Sequence, residues 1–117
     1  MPILDVELYE PAPAGLAQRL ADSVGQALAT PPGHTWVRVH PLDPQHYAEN
    51  GVEVAAADLP VFVVILHRAP PEGVALESEV RALTALVAAV LGKEVERVHL
   101  QYATAAAGRQ AFGGKLV

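Results

Sequence analysis

The sequence predicts an α+β fold: tandem β-α-β units forming a four-stranded mixed sheet, with two helices on one face. Three observations carry that expectation. Strand-like and helix-like segments follow one another in the order strand, helix, strand, and then do so again. Arg38-Val39-His40 recurs as Arg97-Val98-His99, 59 residues later. At the same offset the start of the chain falls on the apolar run Leu59–Leu66. Internal repetition of this kind marks a duplicated unit, so residues 1–117 read as a single domain with repeat halves of about 1–58 and 59–117. A helical crossover makes its flanking strands parallel and right-handed.

In the first half, Ile3, Leu4, Val6 and Leu8 form a strand-like segment ending near Tyr9. Glu10-Pro11-Ala12-Pro13 breaks it, because each proline lacks a backbone donor. Leu16, Leu20, Val24, Ala27 and Leu28 then recur at helical spacing, and Thr30-Pro31-Pro32-Gly33 stops the helix. Thr35–His40 is rich in β-formers and alternates, giving the second strand. The stretch 41–58 reads mostly as loop, with a turn at Asn50-Gly51 and a short extra strand at Val52-Glu53-Val54.

The second half opens on Pro60–His67, apolar at nearly every position, as expected of a strand buried on both faces. Ala69-Pro70-Pro71-Glu72-Gly73 ends it. Leu76, Val80, Leu83, Val87 and Val90 mark an amphipathic helix. Val95–Tyr102 reads as the last strand, and residues 103–117 as a small-residue tail. Two helices cover one sheet face only, so the apolar second face of the third strand predicts an oligomer.

Composition narrows the function. The 117 residues are 51% hydrophobic and 18% charged, with a net charge of −5 and no cysteine. No basic cluster is present, which argues against nucleic acid and anionic membrane surfaces as partners. The absence of cysteine excludes disulfides, thiolate zinc sites and a cysteine nucleophile. The N-terminus carries acidic residues where a signal peptide needs basic ones. The apolar stretch Ala82–Gly92 is far short of the ~20 residues that span a bilayer. A soluble, cytoplasmic protein is expected. None of the five histidines (34, 40, 46, 67 and 99) forms an H-x-x-x-H pair, so neither a metal site nor a cofactor is expected. No serine lies in a nucleophile elbow, and no phosphate-binding glycine pattern precedes a helix.

Pro2 is the first candidate for chemistry. Methionine before a small residue is commonly removed, which leaves proline with a free secondary amine. Such an amine titrates near ~8 when unperturbed, and burial lowers that value. A neutral amine near pH 7 is a competent general base. Arg38 is the second: a charge inside a strand faces either water or an anion, and alternation sets it on one face with Trp36 and His40. Arg68 is the third, at the end of the most buried strand, where a guanidinium could hold a carboxylate. Arg97 sits at the start of its strand and reads as solvated.

These residues resemble the tautomerase superfamily, which includes 4-oxalocrotonate tautomerase, 5-(carboxymethyl)-2-hydroxymuconate isomerase and macrophage migration inhibitory factor. Pro2 opens the first strand as the family's catalytic proline does. Val37-Arg38-Val39 resembles the Val-Arg-Val of 4-oxalocrotonate tautomerase, whose arginine binds a carboxylate. Glu96–Tyr102 resembles the Asp-Arg-Val-Tyr-Ile-Asn-Tyr strand of the inhibitory factor. Gly108–Gly114 resembles the glycine-rich closing segment of 4-oxalocrotonate tautomerase, and Gln45–Gly51 is similar to a degenerate copy of it. Leu66-His67-Arg68 resembles a triplet of cis-3-chloroacrylic acid dehalogenase, whose arginine binds the substrate carboxylate.

The resemblance implies a homotrimer in which Pro2 moves a proton between carbon and oxygen of an enol or 2-oxo acid. It gives Arg38 and Arg68 the carboxylate and places Gln101 at a pocket asparagine. Trp36 and His40, on the face of Arg38, and Tyr47 and Phe112, in the glycine-rich segments, are substrate-contact candidates. Three departures narrow the substrate, one being Val74 near the position of the arginine in the hydroxymuconate isomerase's Gly-Arg-Ser turn. Glu10-Pro11-Ala12-Pro13 stands where 4-oxalocrotonate tautomerase has a further arginine, and Ala111 where the dehalogenase has its water-activating glutamate. A monocarboxylate or aromatic enol is expected, and hydrolytic dehalogenation is not. The alternatives are a non-catalytic trimeric binding module of the same fold, or decarboxylation or hydration of a small 2-oxo or unsaturated acid.

Overall fold

A computed structural model describes the whole chain, Met1–Val117. Strand β1 (Ile3–Leu8) leads into helix α1 (Leu16–Ala27) and strand β2 (Trp36–Pro41). Strand β3 (Val61–Leu66), helix α2 (Gly73–Leu91) and strand β4 (Val98–Tyr102) repeat that order, and a hairpin of β5 (Ala111–Phe112) and β6 (Lys115–Leu116) closes the chain. The four long strands form one sheet in the order β2-β1-β3-β4. Its two outer pairings are parallel and the central β1–β3 pairing is antiparallel, so the sheet is mixed.

Alternation decides which face each strand buries. Leu4, Val6 and Leu8 of β1 and Val61, Val63 and Ile65 of β3 are buried, and they join Leu16, Leu20, Val24, Leu83 and Val87 of the helices in a single core. Each such side chain contributes roughly 1.5–3 kcal/mol when fully removed from water. The intervening residues Ile3, Asp5, Glu7, Phe62, Val64 and Leu66 lie on the opposite face. Helix α2 ends at Gly92, whose φ of 65° lets Lys93 N–H donate to Ala88 C=O at 2.9 Å. That left-handed position favours glycine.

Three details differ from the sequence expectation. The last strand begins at Val98, because Val95–Arg97 forms a tight 3-10 turn before it. Val52-Glu53-Val54 is not a strand: only Val52 pairs, with Glu49 across the Asn50-Gly51 turn. The tail is not featureless, since Gly113-Gly114 turns the β5–β6 hairpin.

The Arg-Val-His triplets are not equivalent positions in the sheet. Arg38 pairs with Asp5, inside β2, whereas Arg97 precedes β4. The second crossover (67–97) is four residues longer than the first (9–35). Asp5 of β1 corresponds to Val64 of β3, and Val64 pairs with Gln101, so Gln101 takes the place of Arg38. The two small hairpins keep the same longer offset of 63 residues, with Glu49–Val52 matching Phe112–Lys115.

Candidate active site at the end of the sheet

Pro2 lies just before β1 and is fully buried. Its C=O accepts a hydrogen bond from Trp36 N–H at 3.1 Å, which ties it to the start of β2. On its other side, β1 and β3 pair with Ile3 opposite Leu66. Carrying that register one step outward sets Pro2 opposite His67 and Met1 opposite Arg68. The N-terminus, the end of β3 and the start of β2 therefore meet at one end of the sheet. The hairpin supplies Phe112, stacked on Trp36 with ring centroids 4.7 Å apart. Arg68 is exposed and takes part in none of the ion pairs of the chain.

Four of the residues expected from sequence thus lie at one end of the sheet: Pro2 in the series that faces the helices, and Trp36, Arg68 and Phe112 around the edge toward the open face. Arg38 and His40 lie further along β2, on the open face that Trp36 also shares. Arg38 Nε and Nη2 each donate to Asp5 at 2.7 Å, and His40 Nε2 lies 2.9 Å from the same carboxylate. The anion that a mid-strand arginine requires is supplied by the chain itself. Bidentate pairing with Arg38, joined by His40, holds the Asp5 carboxyl below its ordinary range.

Tyr47 and Gln101 line a groove of about 400 Å³ on that open face, together with Asp5, Glu7 and Phe62. Tyr47 O–H donates to Glu49 at 2.5 Å and its ring lies 4.8 Å from that of Tyr9. The bond to Glu49 raises the Tyr47 phenol above its usual value. Arg97 is not solvated as expected: it is half-buried, 3.8 Å from Glu49, and its Nε is buried without a partner.

Where β3 ends and β4 closes, the structure adds a cluster that no sequence motif announces. Glu79 of α2 accepts from Tyr102 O–H at 2.6 Å and lies 2.8 Å from His67 Nε2. The His67 and Tyr102 rings stack at 6.0 Å and 13°. His67 and Glu79 side chains are only 12% and 11% exposed. Burial, reinforced by Glu79, pushes the Tyr102 phenol well above the usual tyrosine range. A signal was present, since Glu79 falls on the inward stripe of α2 between Leu76 and Leu83. A carboxylate there needs hydrogen-bond donors. No group of three or more histidine, cysteine or acidic side chains is arranged to hold a metal.

The sequence matches no family model and no curated protein. Solved structures do match over nearly the whole chain. A fused 4-OT described as an asymmetric trimer is similar at TM-score 0.78 and 16% identity, covering 97% of this chain and 94% of that one. The macrophage migration inhibitory factor of Trichinella spiralis is similar at TM-score 0.76 and 14% identity, covering 98% and 99%. FG41 malonate semialdehyde decarboxylase, solved with 3-bromopropiolate as inhibitor, is similar at TM-score 0.69 and 16% identity, covering 95% and 90%. The chain has the tautomerase-superfamily fold that its residues resemble.

Proposed function

We propose that this protein is a cofactor-independent keto-enol tautomerase, with Pro2 as general base after removal of Met1. The observation that carries the reading is the position of Pro2. It is buried at the mouth of a tautomerase-type sheet, with an unpaired guanidinium and an aromatic pair at the same end. With Met1 attached, the Pro2 nitrogen is an amide and has no basicity. Once freed, it is a secondary amine in a site where burial disfavours its charged form. The Met1 amine one residue further out is already lowered by burial.

In the proposed reaction the Pro2 nitrogen takes the enol proton and returns it to carbon. Arg68 holds the substrate carboxylate, and its charge stabilises the developing enolate. Trp36 and Phe112 offer flat apolar surface to an aromatic or unsaturated substituent. Arg38 contributes only where a substrate carboxylate displaces Asp5 from it, which favours a substrate with one carboxylate over one with two. His40 lies on that same pair, and Tyr47 and Gln101 line the open-face groove that the proposed trimer would cover. The assembly proposed is a homotrimer, in keeping with the trimeric fused 4-OT. It acts on a small carboxylate or enol, and the chain holds no helix long and apolar enough to cross a membrane.

The test is ketonisation of an aryl enol-pyruvate by processed protein and by Pro2→Ala. A positioned base is worth roughly 10²–10⁴-fold, so kcat/KM should fall by about that factor while the fold, read by circular dichroism, is kept. Equal turnover in the two proteins would remove Pro2 from the mechanism. Retained Met1 in the native protein would favour the binding-module alternative.

A further inference from the structure

We propose that Glu79, acting with His67 and Tyr102, is a positioning device that sets the charge of the Pro2 amine. The inference rests on the reading that Pro2 carries the free terminal amine, and it extends that reading to residues on α2 and β4.

The geometry behind it begins with the faces of the sheet. In β1 the even positions face the helices, with Leu4, Val6 and Leu8 buried, and Pro2 continues that series. In β3 the odd positions Val61, Val63 and Ile65 do so, and His67 continues theirs. The ladder ends at Ile3–Leu66, and the same register carried one step further sets Pro2 and His67 side by side on the helix-covered face. Ile65 pairs with Tyr102, which brings that side chain to the same corner. Glu79 reaches the corner from α2 and holds both partners at 2.8 and 2.6 Å.

A carboxylate that accepts from an imidazole and a phenol is fixed in place, and it fixes the imidazole in turn. With Nε2 held by Glu79, Nδ1 faces away from that carboxylate, and a doubly protonated His67 would offset the Glu79 charge. Three groups beside Glu79 bear on the amine. Arg68 lies one step beyond His67 and opposes a positive charge at Pro2. Tyr102 stays neutral, because burial and the neighbouring carboxylate both hold its proton. Trp36, on the β2 side, is uncharged. The hairpin adds Lys115, which pairs with Phe112 and is exposed. Glu79 is thus the one anion built into this corner, and it offsets the burial that drives the amine neutral.

The experiment titrates the terminal amine directly, by NMR of protein labelled at proline nitrogen, in processed wild type, Glu79→Gln and Tyr102→Phe. Glu79→Gln keeps the hydrogen-bonding shape and deletes the negative charge, so the Pro2 midpoint should fall by about one pH unit. Tyr102→Phe removes a donor from the carboxylate and leaves its charge less covered, so the midpoint should rise. Opposite shifts support the proposal, and an unmoved midpoint in either folded variant overturns it. The readout needs no turnover: shifts with no tautomerase activity would uphold this inference while rejecting the catalytic reading. Should Glu79→Gln fail to fold, the sign found for Tyr102→Phe decides the matter.

Discussion

Asp5 and Arg38 face each other across β1 and β2 in perfect register, and that pairing changes what Arg38 can do. A guanidinium with two 2.7 Å bonds to one carboxylate keeps three N–H groups, but much of its charge is already offset by that carboxylate. The pair also has a pH signature. The folded-state carboxyl of Asp5 is depressed, first by the hydrogen bond from Arg38. Its contribution to stability is therefore fully present above its unfolded value near ~3.9 and is lost as pH falls through the lower folded value. Asp5→Asn should cost stability in urea at neutral pH, modestly because both side chains are partly exposed, and should cost nothing once wild-type Asp5 is protonated. An equal deficit at both pH values would show that the effect is not electrostatic.

The Pro2 amine has the opposite logic, because a base works only when unprotonated. Activity should rise with pH through the amine midpoint, with burial moving that midpoint below the ~8 of a free terminus. A pH–rate profile of kcat/KM checks this, and a rise centred well above pH 8 would contradict it. At this scale the sequence was partly legible. Pro2, Arg68, Trp36 and Phe112 belong to strand ends and the closing segment, which alternation and turn signals locate, and the structure sets them at one end of the sheet. Asp5 and Glu79 were missed, because their partners lie 33 and 12 residues away respectively. Only the ladder register and the packing of α2 reveal those meetings.

Periodicity located both helices and all four long strands, because each element buries one face and writes that face at its own spacing. The ends were less legible. Val95 and Arg97 have strand-like neighbours, yet the chain turns tightly there to carry α2 into β4. The extra four residues of that crossover also explain why the two Arg-Val-His triplets are not equivalent positions although the unit is duplicated: a constant offset cannot survive an insertion between the strands it relates. Leu83 sits at the middle of the α2 stripe and is wholly buried. Leu83→Ala should lose about 2–5 kcal/mol of unfolding free energy, measured by urea denaturation. A loss under ~1 kcal/mol would mean that α2 is not a main contributor to the core.

For the whole molecule, the uncovered sheet face is the feature that a single chain does not resolve. Phe62, Val64 and Leu66 of β3 lie there, next to the Arg38–Asp5–Val64–Gln101 row, and Val64 remains 37% exposed. The proposed trimer buries this face. Val64→Glu should then convert a species of three 12.3 kDa chains into monomers in light scattering, whereas an unchanged mass would place the interface elsewhere. The central claim, however, turns on a single nitrogen atom. The intact mass of natively expressed protein tests it most directly: the account predicts a chain one methionine short, beginning at Pro2. A full-length mass would leave that nitrogen an amide and contradict the account.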